Sequence, residues 1–122
     1  MATPKVEGKH AEEFILSEAN GMRSREEVTI VSGQNLTACK VLGKISSGGK
    51  YAVYANGASD GTQAAAGILC SDVDASGGDK KGAVVVRDAE VKAAMLDWGT
   101  SDATAIAAGK VDLLALGIVV RE

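Results

Sequence analysis

The chain has 122 residues, of which 46% are hydrophobic but only 3% aromatic, and its net charge is −3. A chain of this length is expected to form one domain, with a core built from aliphatic side chains. The acidic balance argues against the basic face of a nucleic-acid-binding domain, and the shortage of aromatic rings argues against a platform for stacked bases.

Targeting and cofactor signals are also missing from the sequence. No apolar run approaches the ~20 residues of a membrane helix, and residues 1–8 lack the apolar core of a signal peptide. Histidine occurs once, at His10, with no cysteine-rich or histidine-rich metal cluster. We therefore predict a soluble protein made in the cytoplasm, with no cofactor and no nucleic-acid or membrane partner.

Residues 1–27 are mostly polar and are interrupted by one apolar patch, Phe14-Ile15-Leu16. Such a segment buries too little surface on its own to offset the entropy of ordering it. It is therefore either a flexible terminus or an arm that orders on a partner, for example by joining the edge of the partner's sheet. In the second interpretation the apolar patch is the anchor. We predict an extended arm over residues 1–27 and a compact body over residues 28–122.

From residue 28 onward, short β-type runs alternate with turn signals. Glycine-rich and Asn-Gly or Asp-Gly segments separate the runs, and the turn at residues 46–50 predicts a hairpin. The predicted strands cover residues 28–31, 36–45, 51–54, 65–73 and 83–87. Residues 90–96 are compatible with a further strand or with a helix.

The C-terminal part has a helical pattern. Residues 101–104 supply side-chain acceptors for the first amides of a helix, residues 105–116 are rich in alanine and leucine, and Gly117 suits a helix stop. Residues 118–120 then predict a last strand. The expected fold is mainly β with one C-terminal helix, and its many short strands suggest a small barrel or sandwich-like body.

The two cysteines lie in strand-like apolar segments. Two residues are too few for a disulfide framework, and small apolar surroundings favour buried or half-buried thiols at Cys39 and Cys70. A thiolate catalyst would need a nearby base, and His10 lies in the polar N-terminal segment. We predict no catalytic role for either cysteine.

A glycine-lysine segment at residues 43–51 resembles a phosphate-binding loop. One residue too many precedes Lys50, and Tyr51 stands where the motif needs serine or threonine. The segment that follows is strand-like, so no helix N-terminus is available to bind phosphate. We interpret residues 46–50 as a hairpin turn.

Acidic residues produce two further apparent motifs. Residues 72–77 fit the first half of a calcium-binding loop, but position twelve is Ala83 instead of glutamate. An exposed acidic turn is therefore predicted, with Asp72, Asp74 and Asp79 as the ligands if a cation binds weakly. The carboxylates within residues 87–90 could in principle form an acid–base pair, but a close pair is expected by chance among 16 acidic residues.

Taken in order, several segments resemble the head decoration proteins of tailed bacteriophages, the family typified by the lambda-like head protein D. The most distinctive is Asp60-Gly61-Thr62-Gln63 with the small and apolar residues that follow. The resemblance covers nearly the whole chain from Phe14 and rests on residues 14–21, 24–30, 42–45, 60–69, 86–91 and 116–121. One departure is Gly99, where the family pattern would place a proline after Trp98.

The resemblance implies a structural protein without enzymatic activity. Its members have a small barrel or β-clip-like domain and bind as homotrimers to the major capsid protein, at local threefold sites on the outer surface of the expanded head. They stabilise the virion against the pressure of the packaged DNA. By this resemblance Phe14, Ile15 and Leu16 would carry capsid docking, while Val28 and Ile30 would join the arm to the body.

Two other functions remain compatible with the residues. A small β-barrel binding module could use the glycine-rich turns as the rim of a ligand site. A carbohydrate-active domain could use the aspartate and glutamate cluster. Ligand-dependent thermal stability would distinguish both from a decoration protein, because a ligand that binds only the folded state raises its apparent stability.

Overall fold

The computed structural model describes residues 14–19 and 23–122. These residues form a mainly β protein with one α-helix near the C-terminus, as predicted. The elements in chain order are β1 (Ile15–Glu18), β2 (Arg25–Ile30), β3 (Asn35–Leu36), β4 (Val41–Lys44), β5 (Tyr51–Val53), β6 (Ala65–Leu69), β7 (Val73–Asp74), β8 (Lys80–Val85), β9 (Ala89–Lys92), a 3₁₀ turn (Ala93–Met95), α1 (Ala103–Ala115) and β10 (Ile118–Arg121).

Five strands close into a barrel in the order β2-β5-β4-β6-β8, which confirms the predicted barrel. Strand β2 runs antiparallel to β8 over its whole length, from Arg25 opposite Val85 to Ile30 opposite Lys80. Alternate side chains of a strand face opposite sides of the sheet. The inward-facing side chains therefore fill the barrel, and they include Ile30, Leu42, Leu69 and Val84.

A second sheet, in the order β1-β9-β10, lies beside the barrel. Strand β9 is central, with β1 antiparallel and β10 parallel to it. Helix α1 packs between β10 and the barrel strand β6. The core between these elements contains Phe14, Val91, Leu113 and Ile118, all fully buried. This second core attaches the sheet and the helix to the barrel.

The turn at residues 46–50 is the predicted hairpin between β4 and β5. Gly48 and Gly49 have φ angles of 94° and 73°, a region that glycine enters without steric cost. The Ile45 amide donates to the Lys50 carbonyl at 2.7 Å and closes the turn. The phosphate-loop-like segment is therefore a hairpin, as predicted.

Helix α1 begins and ends where local chemistry predicts. The Asp102 carboxylate accepts from the Thr104 amide at 3.0 Å and caps the first turn. Gly117, with a φ of 85°, ends the helix. The side chains that face the core are Ala105 and Leu113, and Gly109 lies between them on the same side of the helix.

The turn that precedes α1 explains the glycine found in place of proline. Gly99 has a φ of 71°, and its amide donates to Asp97 Oδ1 at 3.0 Å. Proline has no amide proton, and its ring fixes φ near −65°. Proline therefore could not form this turn, in which Trp98 is buried against α1.

Two predicted strands are each divided in the structure. The segment 36–45 is interrupted at Cys39, which has a φ of 77°, and 65–73 is divided into β6 and β7. The reason is tertiary, since β3 and β7 pair with each other in a separate two-stranded sheet. The Asp72 carboxylate, which accepts from the Ala38 amide at 2.8 Å, stabilises the same bend. The sequence was compatible with a strand or a helix over residues 90–96. In the structure this segment contains the end of β9 and then the 3₁₀ turn.

Two described strands begin within the predicted arm of residues 1–27, and its boundary with the body at residue 28 stays a prediction. Barrel strand β2 starts at Arg25, and β1 pairs with β9. Phe14 is fully buried in the second core, because contacts distant in sequence compensate for the polar character of the segment. Of the predicted arm, residues 1–13 and 20–22 lie outside the described residues.

Candidate interaction surface

Strand β1 forms an edge of the three-stranded sheet. Ile15 lies opposite Val91 and Ser17 opposite Glu90, with an irregularity in register between them. No described strand pairs with the other side of β1. A sheet edge is where another chain can add a strand, so the outer edge of β1 is a candidate contact.

The five residues predicted to form the docking site are divided among two cores and one edge strand. Phe14 is fully buried and Ile15 is half-buried against the second core. Val28 and Ile30 instead belong to the barrel core. Leu16 differs from the other four, since it lies on the edge strand and is 54% exposed. In this fold Leu16 alone of the five presents a largely exposed apolar side chain.

Glu90, on the central strand, holds both neighbouring strands of the sheet. Its Oε1 accepts from the Ser17 hydroxyl of β1 at 3.1 Å, and its Oε2 accepts from Arg121 of β10 at 3.0 and 3.2 Å. The Arg121 and Ser17 hydrogen bonds lower the pKa of Glu90 below its ordinary value. The sequence placed this carboxylate in an apparent acid–base motif and in the family-like segment 86–91, and neither indicated its contacts with β1 and β10.

The segment between β1 and β2 is fixed at both of its described ends. The buried Ser24 hydroxyl donates to the Asp88 carbonyl at 2.7 Å and accepts from the Ala19 amide at 2.9 Å. Arg25 contacts Glu18 through two hydrogen bonds of 2.7 and 2.9 Å, a bidentate arrangement. Sequence reasoning missed Ser24, because its two partners are distant or main-chain groups that no local pattern reveals.

The acidic turn uses its carboxylates to stabilise loops. Asp72 accepts from the backbone of the bend at Ala38, Asp74 accepts from Ser76, and Asp79 binds Lys50 at 2.6 Å. Hydrogen bonds to these partners lower the pKa values of Asp74 and Asp79. Among the described residues, no group of three or more potential ligands is placed to hold a metal ion.

The carboxylates within residues 87–90 pair with separate arginines. Asp88 lies 3.5 Å from Arg23, and Glu90 binds Arg121. Each carboxylate is thus partly neutralised by a cation of its own, which is an arrangement of surface ion pairs. Such an arrangement differs from two carboxylates that face a common substrate.

Both thiols are buried, as the sequence predicted. Cys39 and Cys70 are essentially inaccessible to solvent, and the Cys39 amide donates to the Leu69 carbonyl at 2.9 Å. Buried cysteines behave as small apolar residues and react slowly. These positions therefore contribute to packing at the junction of the barrel and the bend at Cys39.

Within the described part of the chain, no helix has the length and apolar character needed to span a membrane. A search among curated proteins finds no match. A family model described as bacteriophage lambda head decoration protein D matches residues 4–118. This match covers most of the 122 residues and agrees with the resemblance seen in the sequence. The chain therefore belongs to the family of the bacteriophage lambda head decoration protein D.

Proposed function

We propose that this protein is a capsid decoration protein that binds the outer surface of the expanded phage head. It binds the major capsid protein as homotrimers at local threefold sites and stabilises the shell against the pressure of packaged DNA. The observation that carries the proposal is the family match over residues 4–118. In this role the protein is a structural component of the virion and has no enzymatic activity.

The exposed edge of β1 supports a contact made through strand addition. A partner strand that joins this edge would gain main-chain hydrogen bonds, and Leu16 would supply an apolar side chain to the same contact. Strand β1 directly follows the N-terminal segment, so an arm that pairs with the capsid would continue into a strand already fixed on β9.

The proposed arm is shorter than residues 1–27. Phe14 is buried in the protein's own core and Arg25 begins a barrel strand, so these residues anchor the body. We assign the capsid contact to the segment that precedes Phe14 together with the outer edge and the Leu16 side chain of β1. Ile15, Val28 and Ile30 then support the contact indirectly, by fixing β1 and β2 in the body.

Trimeric binding also has a physical basis. A single small subunit that contacts the shell mainly through one strand and one exposed leucine gains limited affinity. When three subunits bind together, the second and third contacts become intramolecular, and weak contacts combine into tight binding. Trimers at threefold sites would therefore bind where isolated subunits bind weakly.

The test is co-sedimentation of the full-length protein with expanded heads that lack it. The informative variant is Leu16→Asp, which places a charge at the edge of β1 without disturbing the core. Removal of residues 1–27 is less informative, because it would also remove Phe14 from the core. Burying an unpaired charge costs more than about 1.4 kcal/mol, so Leu16→Asp should weaken binding by at least about tenfold.

Ser59→Asp is the matched control. It adds the same charge at an exposed position in the loop between β5 and β6, and it should saturate heads as the wild type does. If wild-type protein fails to bind intact expanded heads, the decoration role is wrong. If Leu16→Asp binds as tightly as Ser59→Asp, the role of the β1 edge is wrong while the decoration role stands.

The alternative of a ligand-binding barrel has less support from the described residues. An open depression of about 490 Å³ lies beside Tyr54, between the barrel and the start of α1. The Tyr54 hydroxyl already donates to the Ala105 carbonyl at 2.7 Å. Burial raises the pKa of Tyr54, and the nearby carboxylates of Asp112 and Asp102 raise it further. The Tyr54 hydroxyl therefore already donates its hydrogen bond to the helix backbone and does not donate it to a ligand.

A further inference from the structure

Helix α1 has an apolar outer face that no described part of the chain covers. Val111 is 68% exposed and Leu114 is 60% exposed, and Ala107 on the same side of the helix is also exposed. The helix buries its opposite side, through Ala105 and Leu113, against the body. A helix that is apolar on both sides is normally buried on both sides.

The exposed positions have the spacing of a helix-packing seam. Thr104, Ala107, Val111 and Leu114 are separated by three, four and three residues, and all four are exposed. This is the a/d spacing of a coiled coil, with Thr104 and Val111 at a positions and Ala107 and Leu114 at d positions. We call these four residues the α1 seam. The α1 seam of one copy can pack against the α1 seam of another, because side chains at this spacing fit between the corresponding side chains of the second helix.

The α1 seam is also electrically neutral. The two charged residues of the helix are engaged elsewhere, because Lys110 binds Glu122 at 2.8 Å and Asp112 accepts from the Ala65 amide at 3.0 Å. Each subunit carries a net charge of −3, so two copies carry charge of the same sign. An uncharged and mostly apolar seam lets like-charged copies approach without placing charged side chains against each other.

We infer that the α1 seam is the contact between subunits, with a second copy of this chain as its occupant. The trimer itself rests on the proposed function, and the inference adds that the α1 helices of neighbouring subunits pack together near the symmetry axis. Four seam positions on a helix of 13 residues give a short contact. Association is therefore expected to be weak in dilute solution and strong where the shell brings subunits together.

The test uses Val111→Cys and a short bis-maleimide cross-linker, both at high protein concentration without heads and on decorated heads. Val111 is exposed, so the variant should keep its fold. The control is Lys81→Cys, at an exposed position on barrel strand β8. Contact raises the local thiol concentration into the millimolar range, so cross-linked dimers should form about tenfold faster, or more, from Val111→Cys. Adding Leu114→Asp to Val111→Cys should remove this difference.

Equal cross-linking rates for Val111→Cys and Lys81→Cys, both in solution and on heads, would overturn the inference. A faster rate for Val111→Cys in either setting, abolished by Leu114→Asp, would support it. If the wild-type protein does not bind heads, the decoration role fails, and the experiment in solution still decides whether the α1 seam joins two copies. The two failures are thus distinguishable.

Discussion

Gly109 lies directly against the indole ring of Trp98. A Cβ atom at position 109 would overlap Trp98 Cζ3 and would lie 3.2 Å from both Cε3 and Cη2. Trp98 is buried, and its ring makes an edge-to-face contact with Tyr54 at 6.0 Å between centroids. The indole therefore has little room to move away, and the glycine sets the distance between α1 and the body.

Replacement of Gly109 by alanine should lower stability even though the position is helical. Alanine gains about 1 kcal/mol over glycine in a helix, but overpacking a filled core costs about 1–3 kcal/mol. We expect a net loss of up to about 2 kcal/mol in urea unfolding. Gly77→Ala is the control, since a Cβ there meets nothing within 4 Å. Equal stability of the two variants would mean that Trp98 can shift.

Phe14 should behave as a core residue, in contrast to its neighbour Leu16. Phe14→Ala removes a fully buried ring, a change that typically costs about 3–5 kcal/mol. Leu16→Ala, at a largely exposed position, should change the free energy of unfolding by no more than about 0.5 kcal/mol. Denaturant unfolding of both variants measures the difference. Similar small effects would show that Phe14 and the strand that follows it contribute little to the stability of the subunit.

The hydrogen bond that caps α1 should contribute measurably to the free energy of unfolding. Asp102→Ala removes the acceptor for the Thr104 amide and should cost about 1 kcal/mol. Asp102→Asn retains an acceptor oxygen and should recover most of that loss. Thermal unfolding of the two variants makes the comparison. If both variants lost the same amount of stability, the stabilising effect of Asp102 would come from its charge and not from its hydrogen bond.

Acidification should lower the stability of the protein by protonating Glu90, which links the strands of the three-stranded sheet. Hydrogen bonds from Arg121 and Ser17 lower the pKa of Glu90 in the folded state. The stabilisation that Glu90 gives the fold is therefore fully present above the pKa of this group in the unfolded chain. It is lost as the pH falls through its pKa in the folded protein. The loss should therefore appear at about pH 4 and below. Unfolding midpoints measured from pH 7 to pH 3 should fall less steeply for Glu90→Gln than for the wild type. If the unfolding midpoints of Glu90→Gln and the wild type fell equally steeply with pH, Glu90 would not have this stabilising role.

The locally encoded features were predictable because neighbouring residues determine them. Gly48 and Gly49 specify the hairpin, while Asp102 and Gly117 mark the ends of the helix region within a few residues. Cys39 is different, since its positive φ is imposed by the pairing of β3 with β7. No local signal distinguishes such a bend from a continuous strand.

The candidate interaction surface could be predicted only as a segment. The pattern singled out Phe14-Ile15-Leu16, but side-chain alternation along a strand would place Phe14 and Leu16 on the same side, although Phe14 is buried and Leu16 is exposed. Phe14 precedes β1, and the register of β1 is irregular between Ile15 and Ser17. Which of them is buried depends on β9, which lies far away in the sequence. The same limit applies to Val28 and Ile30, whose burial follows from closure of the barrel.

Strand β1 also has a consequence for the order of folding events. Ser17 and Glu90 meet across 73 residues of chain, and among the described strands β1 pairs with β9 alone, whereas barrel strand β2 pairs with both β5 and β8. A strand with one neighbour has fewer backbone hydrogen bonds to hold it in place. We expect β1 to add to β9 after the barrel has formed, and to be among the first strands to detach. Its amide hydrogens should then exchange with solvent sooner than those of β2 and β8. The edge assigned to the capsid would thus open and close many times while the barrel remains intact.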